Sequence, residues 1–445
     1  ICIFLTISQT FFQNNLFTLC HLIYTDTFYM KRKWIRRVSW ILLTPVLLFV
    51  ILMILLYIPP VQNLLRREVT AYASKATGMQ IQVERIDLRF PLNLLVRGVE
   101  VIQQPDTLLS LESLNVRVQA WPLIKGKVEV DEVTLSRVAV NSANLMEGMK
   151  IKGVLGRFFL QSHGVDLSNE IAIINQAELS DTHVQLLMND TTTTPKDTTA
   201  SAPVNWKVDL HQLKLKNVSF SMQLPVDSMR MAAHIGEAAI DDAQADLKNQ
   251  FYGLKKFLLS GTSASYDTGT AQPIEGFDAS HIAVRDVRIA LDSLLYKGRD
   301  MNAVIREFTM NERSGLSVVS LTGRAYSNDS IISVPGLKLK TPHSEIDLSA
   351  HTYWELVNIP TTGRLSANLN AYIGKEDVML FAGGLPDSFK EAYPFRPLVI
   401  RAGTDGNLKQ MQISRFTVDL PGAFALEGGG MIENLADSLT RTGTI

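Results

Sequence analysis

The string that most resembles a catalytic motif is Asp267-Thr268-Gly269, the tripeptide of aspartic proteases. Those enzymes need two carboxylates that share a proton, each on a turn packed behind apolar strands. Here the tripeptide follows Ser263-Ala-Ser-Tyr266 and has no second copy. We therefore expect Asp267-Thr268-Gly269 to form a β-turn.

The histidines and glycines show no spacing that is typical of a catalytic or metal site. The eight histidines form neither HxH nor HExxH, and no Gly-x-Ser-x-Gly, P-loop or GxGxxG before a helix is present. Gly428-Gly-Gly430 is expected to form a turn or bulge rather than a phosphate cradle. The sequence thus predicts no enzymatic activity, no cofactor and no catalytic residue, and it leaves open only a metal site assembled across strands.

The charge balance argues against a nucleic-acid partner. Lys and Arg total 43 against 44 Asp and Glu, so the formal net charge is −1, whereas binding to nucleic acid needs clustered cations. The two cysteines, Cys2 and Cys20, rule out a disulfide framework and a cysteine-based zinc site. A chain of 445 residues has room for two or three domains.

The N-terminal 29 residues differ from the rest, with no Lys or Arg and a single acid. Met30 follows, and then five basic residues within 31–37. We interpret Met30 as the true start and residues 1–29 as dispensable translated upstream sequence; the alternative is an apolar targeting segment. At the other end, residues 441–445 stop inside a strand-like pattern, so we expect a fragment of a longer protein.

Residues 40–58 form an uncharged, apolar stretch of 19 residues, close to the ~20 that span the ~30 Å of hydrocarbon. The basic tail, 30–39, predicts that the N-terminus is cytoplasmic. No small-x-small cleavage site follows, which favours an uncleaved signal anchor over a removed signal peptide. Residues 59–78 then show apolar positions three and four apart. They predict a short amphipathic helix that caps the following structure or, alternatively, lies on the membrane surface.

From Ile81 onward the apolar pattern has period two, which predicts a mainly β fold with less than about a fifth helix. A unit of apolar-x-apolar-x-x-apolar-x-apolar recurs. The middle spacer of this unit has two residues instead of one, and this doubled spacer shifts the alternation by one residue. We therefore expect a β-bulge or tight bend there, which returns the second pair of apolar side chains to the same face as the first and curves the strand. The five units are Leu94/Val96/Val99/Val101, Val128/Val130/Val133/Leu135, Ala172/Ile174/Ala177/Leu179, Leu213/Leu215/Val218/Phe220 and Ile282/Val284/Val287/Ile289.

The β region divides into 79–189 and 204–445 around a Thr/Pro-rich stretch, 190–203, which we interpret as a loop inserted between strands. One short helix is expected within 383–393, before Pro394.

A curved sheet must cover its apolar face with a second sheet or with a ligand. In an open groove, a charge at Val130 or Val284 should leave the fold intact and stop transport; in a closed core it should unfold the domain. We expect the apolar residues of the units to line one continuous inner face, with the candidates Val96, Val99, Val101, Val128, Val130, Val133, Leu215, Val218, Phe220, Ile282, Val284 and Val287.

The order of basic tail, span, short helix and strands resembles the AsmA-like superfamily and, within it, the TamB type in its Bacteroidetes form. The resemblance covers essentially Met30 to Ile445 and includes no catalytic motif. It rests on Thr77-Gly78-x-x-Ile81, Arg89-Phe90, Leu95-Val96-Arg97-Gly98-Val99-Glu100-Val101, Leu108-Leu109-Ser110-Leu111-Glu112, Leu123-Ile124-Lys125-Gly126-Lys127-Val128, Asn311-Glu-Arg-Ser-Gly315, Val318-x-x-Leu321-Thr-Gly323 and Thr341-Pro-His-Ser344.

The resemblance implies an elongated, taco-shaped β-groove of degenerate repeats that crosses the periplasm from an inner-membrane anchor and carries phospholipid for outer-membrane biogenesis. It also implies an alternative role as a scaffold for the translocation and assembly of outer-membrane proteins and autotransporters, with a BamA-like partner of the TamA type. An apolar inner face unbroken along successive strands would favour the conduit. Large polar interruptions and bare strand edges would favour the scaffold.

Overall fold

The computed structural model of the chain is mainly β, with 67% strand and 12% helix. About 20 strands form one long, curved and unclosed sheet, so the predicted mainly β, curved-sheet fold is confirmed. The chain divides into two units, 1–62 and 63–445. The structure describes residues 43, 44, 47, 51, 54, 57–89, 92–103, 106–119, 129–142, 149–166, 169–188, 205–382 and 385–444.

In the first unit, the few described residues between 43 and 54 are helical. Among the described residues, no helix combines the length and the hydropathy needed to cross a membrane. Most of the expected span, 40–58, lies outside the described residues, as do segment 1–29, the basic tail and the insertion 190–203.

Helix α1, Pro59–Thr77, precedes the sheet and ends at Gly78, whose φ of +69° is favourable for glycine. Two of its side chains hydrogen-bond the first strand. The Arg66 guanidinium donates to the carbonyl of Glu84 at 2.9 Å, and the amide of Ile81 donates to the Ser74 hydroxyl at 3.1 Å. Side chains of α1 therefore supply hydrogen bonds to β1 that a neighbouring strand would otherwise make.

The strands of the sheet are β1 (Gln80–Arg89), β2 (Asn93–Gln103), β3 (Asp106–Val118), β4 (Val130–Asn141), β5 (Met149–Asp166), β6 (Ile171–Met188), β7 (Lys207–Leu224), β8 (Met229–Asp246), β9 (Phe251–Asp267), β10 (His281–Lys297), β11 (Asp300–Glu312), β12 (Ser317–Val318), β13 (Ser320–Ser327), β14 (Ile331–Lys340), β15 (Glu345–Tyr353), β16 (Leu365–Ile373), β17 (Leu398–Gly406), β18 (Gln410–Leu420), β19 (Phe424–Glu433) and β20 (Thr442–Thr444).

The topology is a long meander in which each strand except the short β12 pairs with the next along the chain. The pairing is antiparallel everywhere except between β6 and β7, which are parallel and start together at Ile171 and Lys207. A parallel pair needs a crossover connection, and residues 189–206 separate these two strands. The short β12 pairs only with the end of β11, and β13 continues the sheet beside β11.

Three short helices lie between the last strands: α2 (Trp354–Asn358), α3 (Lys375–Phe381) and α4 (Asp387–Ala392). Helix α4 lies within the stretch 383–393 that was expected to hold one helix. Helix α3 is attached to the β14–β15 turn, because the buried carboxylate of Asp377 accepts hydrogen bonds from the hydroxyls of Thr341 and Ser344. It also accepts, at the carbonyl of Leu380, a 2.7 Å hydrogen bond from the Phe277 amide.

Candidate functional site

Four apolar rows cross the first ten strands on one side of the sheet. Directly paired residues of neighbouring strands lie on the same face, so the registers define each row. Row 1 contains Ile81, Val101, Leu109, Val140, Gly153, Val184, Phe220, Ala233, Ala264 and Val284. Row 2 contains Val83, Val99, Leu111, Val138, Leu155, Thr182, Val218, Ile235, Thr262 and Val287.

Rows 3 and 4 lie beside them and are equally free of charge. Row 3 contains Ile86, Val96, Leu114, Leu135, Phe158, Leu179, Leu215, Ala238, Leu259 and Ile289. Row 4 contains Leu88, Leu94, Val116, Val133, Leu160, Ala177, Leu213, Ile240, Phe257 and Leu291. We call the side of the sheet that carries these rows the apolar face.

Row 4 continues past β10 to β19 without a charged residue. From Leu291 the pairings lead to Ile305, Gly323, Leu337, Leu348, Leu369, Ala402, Phe416 and Gly428. The apolar face is therefore unbroken along this row from the first strand to the nineteenth, with β12 beside it.

A line of bends, here called the first crease, separates row 2 from row 3. In each strand pair from β1 to β9, at least one residue pair is missing from the ladder, and pairing resumes in the same register on the other side. The first crease therefore adds no extra residue and is a tight bend rather than a β-bulge. The crease residues are Glu84, Gly98, Glu112, Arg137, Gly156, Asp181, Asn217, Gly236 and Gly261.

Residues with left-handed backbone lie at the first crease in β2, β4, β6, β7 and β9. Gly98, Arg137, Asp181, Asn217 and Gly261 have φ between +47° and +58°. Such a residue interrupts the alternation of a strand, which lets apolar residues three apart face the same side. In β10 the same change occurs at Asp286, with φ +55°, where the ladders on both sides shift register as in a β-bulge.

A second crease runs six residues away on each strand, through Asn175, His211, Asp242 and Lys255 of β6–β9. The Asp242 carboxylate faces the Lys255 ammonium at 3.0 Å and His211 Nδ1 at 3.2 Å. The hydrogen bonds from Lys255 and His211 lower the pKa of Asp242. Beyond this crease, rows 5 and 6 continue the apolar face with Ile174, Leu210, Ala243, Leu254 and Leu294, and with Ala172, Val208, Ala245, Tyr252 and Tyr296.

The two creases divide the apolar face of β6–β10 into a middle band, rows 3 and 4, and two side bands. Strand β6 shows the effect in its burial: Ala172, Ala177 and Thr182 are all buried, although they are five residues apart and would alternate between faces in a regular strand. Crease side chains such as Arg137 and Lys255 are about three-quarters exposed, at 74% and 76%. The bends thus keep the apolar side chains together on one face while the crease residues reach solvent.

The side chains of the apolar face are partly buried, and none of the large ones that the structure describes is fully enclosed. Among the described residues no large side chain is less than 2% exposed, whereas a closed core packs such side chains away from water. Most row residues are half-buried. Large side chains on the two sides are similarly exposed: Phe220 and Phe416 of the apolar face are each 40% exposed, and Leu258 on the opposite face is 42% exposed.

The structure places eleven of the twelve candidate residues on the apolar face, and Val128 lies outside the described residues. Nine of them are members of rows 1–4. Ile282 pairs with Tyr266 just beyond row 1, and Val130 pairs with Val118 beyond row 4, next to a register shift. In β4 and β6, the expected spacers, 131–132 and 175–176, fall at register shifts against β3 and β5, as in the expected β-bulge, and the first crease comes about five residues later.

The five units found in the sequence include no row residue of β1, β3, β5, β8 or β9. The signal was present, because the same doubled spacer occurs in Ile81/Val83/Ile86/Leu88, Leu109/Leu111/Leu114/Val116 and Ala233/Ile235/Ala238/Ile240.

Two other sequence expectations are corrected by the strand boundaries. Asp267 is the last residue of β9 and pairs with His281, and Gly269 follows at a bend with φ +80°, so the tripeptide is a strand end rather than a β-turn. Gly428-Gly-Gly430 lies inside β19, where the extra residue of the register shift belongs to the opposing β18. Within the described part of the chain, no group of three His, Cys, Asp or Glu is arranged to hold a metal ion.

The chain thus belongs to the structural class of long, open, curved β-sheets with one apolar face. No protein-family model matches the sequence, and no curated protein matches it either.

Proposed function

We propose that this protein carries phospholipid along its apolar face, as an inner-membrane-anchored bridge through the periplasm in outer-membrane biogenesis. The observation that carries the proposal is row 4, which has no charged residue from β1 to β19. An acyl chain gains about 0.8 kcal/mol for each methylene removed from water. A path of uniform apolarity lets it move without crossing a desolvated charge.

The half-burial of the apolar face supports a ligand rather than a second sheet as its cover. A dozen or more apolar side chains left in water would promote aggregation. The described residues leave these side chains half-exposed instead of enclosed, and a mobile acyl chain provides cover without filling a closed core.

The proposal also covers the repeats and the membrane topology. We propose that the bent strands are degenerate repeats of one groove, and that residues 40–58 are a single signal anchor with the N-terminus in the cytoplasm. The apolar length of that segment and the basic residues before it support the topology.

The alternative function is a scaffold for the translocation and assembly of outer-membrane proteins with a BamA-like partner. Such a scaffold would pair a client strand with a free edge of the sheet. At β1, hydrogen bonds from Arg66 and to Ser74 already occupy part of the edge, which favours the conduit over strand addition at this edge.

Leu258 and Leu259 offer a matched test because they are neighbours in β9 that face opposite sides. Leu259 belongs to row 3, between Ala238 and Ile289, and Leu258 is exposed on the opposite face. We expect Leu259→Arg to fold with a near wild-type melting temperature and to lose outer-membrane barrier function in cells. Leu258→Arg should keep both properties.

Each other result has a definite meaning. If Leu259→Arg unfolds the protein while Leu258→Arg does not, the face is a closed core and the conduit is wrong. If Leu259→Arg folds and functions normally, the apolar face is not the working surface. This pair is a better test than a charge at Val284, because a charge there would lie opposite the carboxylate of Glu312 on the neighbouring strand.

A further inference from the structure

A recess in the apolar face lies where β18, β19 and β20 meet. Gly428 and Gly430 of β19 pair with Phe416 and Ile413 of β18, so both glycines occupy apolar-face positions that carry side chains on most preceding strands. The missing side chains leave a cavity of about 270 Å³. It is lined on this face by Ile413, Phe416, Leu426, Ile432 and the glycine backbone.

The fold does not require a glycine at 428. A Cβ atom added there would meet nothing within 4 Å, and the residue is not among those with positive φ. At the neighbouring Gly429, by contrast, an added Cβ would lie 3.1 Å from the carbonyl oxygen of Ile413. Steric demand thus accounts for Gly429 but not for Gly428, whose effect on the structure is to keep the recess open.

The chemistry of the recess suits a hydrocarbon chain. Its apolar-face side chains offer neither charge nor hydrogen-bonding groups. Glu427, Met431 and Thr444 also line the recess, from positions that alternate with the apolar-face residues along their strands. Its volume is below the ~300–1,000 Å³ of pockets that enclose drug-sized ligands, so it accommodates a segment of one chain. We propose that the recess binds one acyl chain of a phospholipid and is a discrete holding site on the apolar face, an inference that rests on the proposed function.

Photolabelling of the full chain in phospholipid vesicles tests this site. The probe is a phosphatidylethanolamine with a diazirine in one acyl chain, and labelled peptides are identified by mass spectrometry. We expect label in the peptide around 424–433 and also in peptides that carry rows 3 and 4 of β6–β9. Gly428→Leu should abolish the label at 424–433 by filling the recess and should leave the row label unchanged.

Gly336→Leu is the matched control, because Gly336 also lies in a strand and an added Cβ there meets nothing within 4 Å. It should retain label at both places. Persistent label at 424–433 in Gly428→Leu, or row label without any label at 424–433 in the wild type, would overturn the holding site and leave the proposed function standing. Absence of label from the rows as well would overturn both.

Discussion

At the scale of single residues, Glu312 marks where row 1 reaches β11, opposite Val284. Its side chain is buried and accepts hydrogen bonds from the amides of Ala283, at 3.1 Å, and Ser314, at 2.6 Å. Burial by itself raises the pKa of Glu312, but the hydrogen bonds from Ser314, Ala283 and Arg313 together lower it below its ordinary value of 4.5. The carboxylate is therefore directed into the β11–β12 turn and is satisfied there.

This lowered pKa gives stability a defined dependence on pH. The folded state favours the ionised carboxylate, so the contribution of Glu312 is complete above the unfolded pKa and is lost as the pH falls through the lower, folded pKa. We expect the melting temperature of the wild type to exceed that of Glu312→Gln near neutral pH, and the difference to shrink as the pH falls below the ordinary pKa of 4.5. A difference that does not change across a pH series of thermal melts would contradict the assignment.

Asn217 tests the crease at a single backbone position. It has φ +54°, and its amide nitrogen donates to the Asp181 carboxylate at 2.7 Å. Left-handed backbone costs a residue with a Cβ about 1–2 kcal/mol, and a β-branched side chain is the least tolerant of it. Asn217→Val should therefore destabilise the protein by at least about 1–2 kcal/mol in chemical unfolding, and Asn217→Gly should cost less because glycine adopts this φ freely. Equal losses would show that the hydrogen bond to Asp181, and not the bend, is what matters.

At the scale of elements, α1 protects the first edge of the sheet. The Arg66 guanidinium donates to the carbonyls of Glu84 at 2.9 Å and Val83 at 3.3 Å. A bare strand edge is a template for pairing with another chain. We expect Arg66→Ala to increase self-association in light scattering, while Arg67→Ala, on the exposed side of the same helix, leaves the mass unchanged. Two variants that remain equally monodisperse would show that β1 needs no protection.

The creases are the elements that shape the candidate site. A regular strand would send Val96 and Val99 to opposite faces, because its side chains alternate. The crease at Gly98 brings both to the apolar face, and an added Cβ there would lie 2.7 Å from the Cβ of Glu84. Close approach between neighbouring strands at the bend is therefore part of its geometry, and a line of such bends crosses the sheet from β1 to β9.

At the scale of the whole molecule, the proposed topology places the sheet outside the cytoplasmic membrane. The basic residues of 31–37 and the apolar segment 40–58 carry that expectation. An alkaline phosphatase fused after Gly126 should be active, and one fused at Met30 should be inactive. The reverse pattern of activities in cells would refute the topology.

The sequence by itself determined the fold class and most of the candidate site. Period-two alternation predicts strands, and the doubled spacer in Leu94/Val96/Val99/Val101 predicts a bend, because which face a side chain takes depends on the local backbone. Eleven of the twelve residues chosen on this basis lie on the apolar face.

Only the tertiary structure decided how the strands meet. The parallel pairing of β6 with β7, the position of Glu312 opposite Val284 and the recess at Gly428 all depend on register. Register is set by the pairing between strands, and one row extends over many strands, each of which must pair correctly with the next. A local pattern therefore specifies which side chains share a face, while the pairing of neighbouring strands specifies which of them become neighbours.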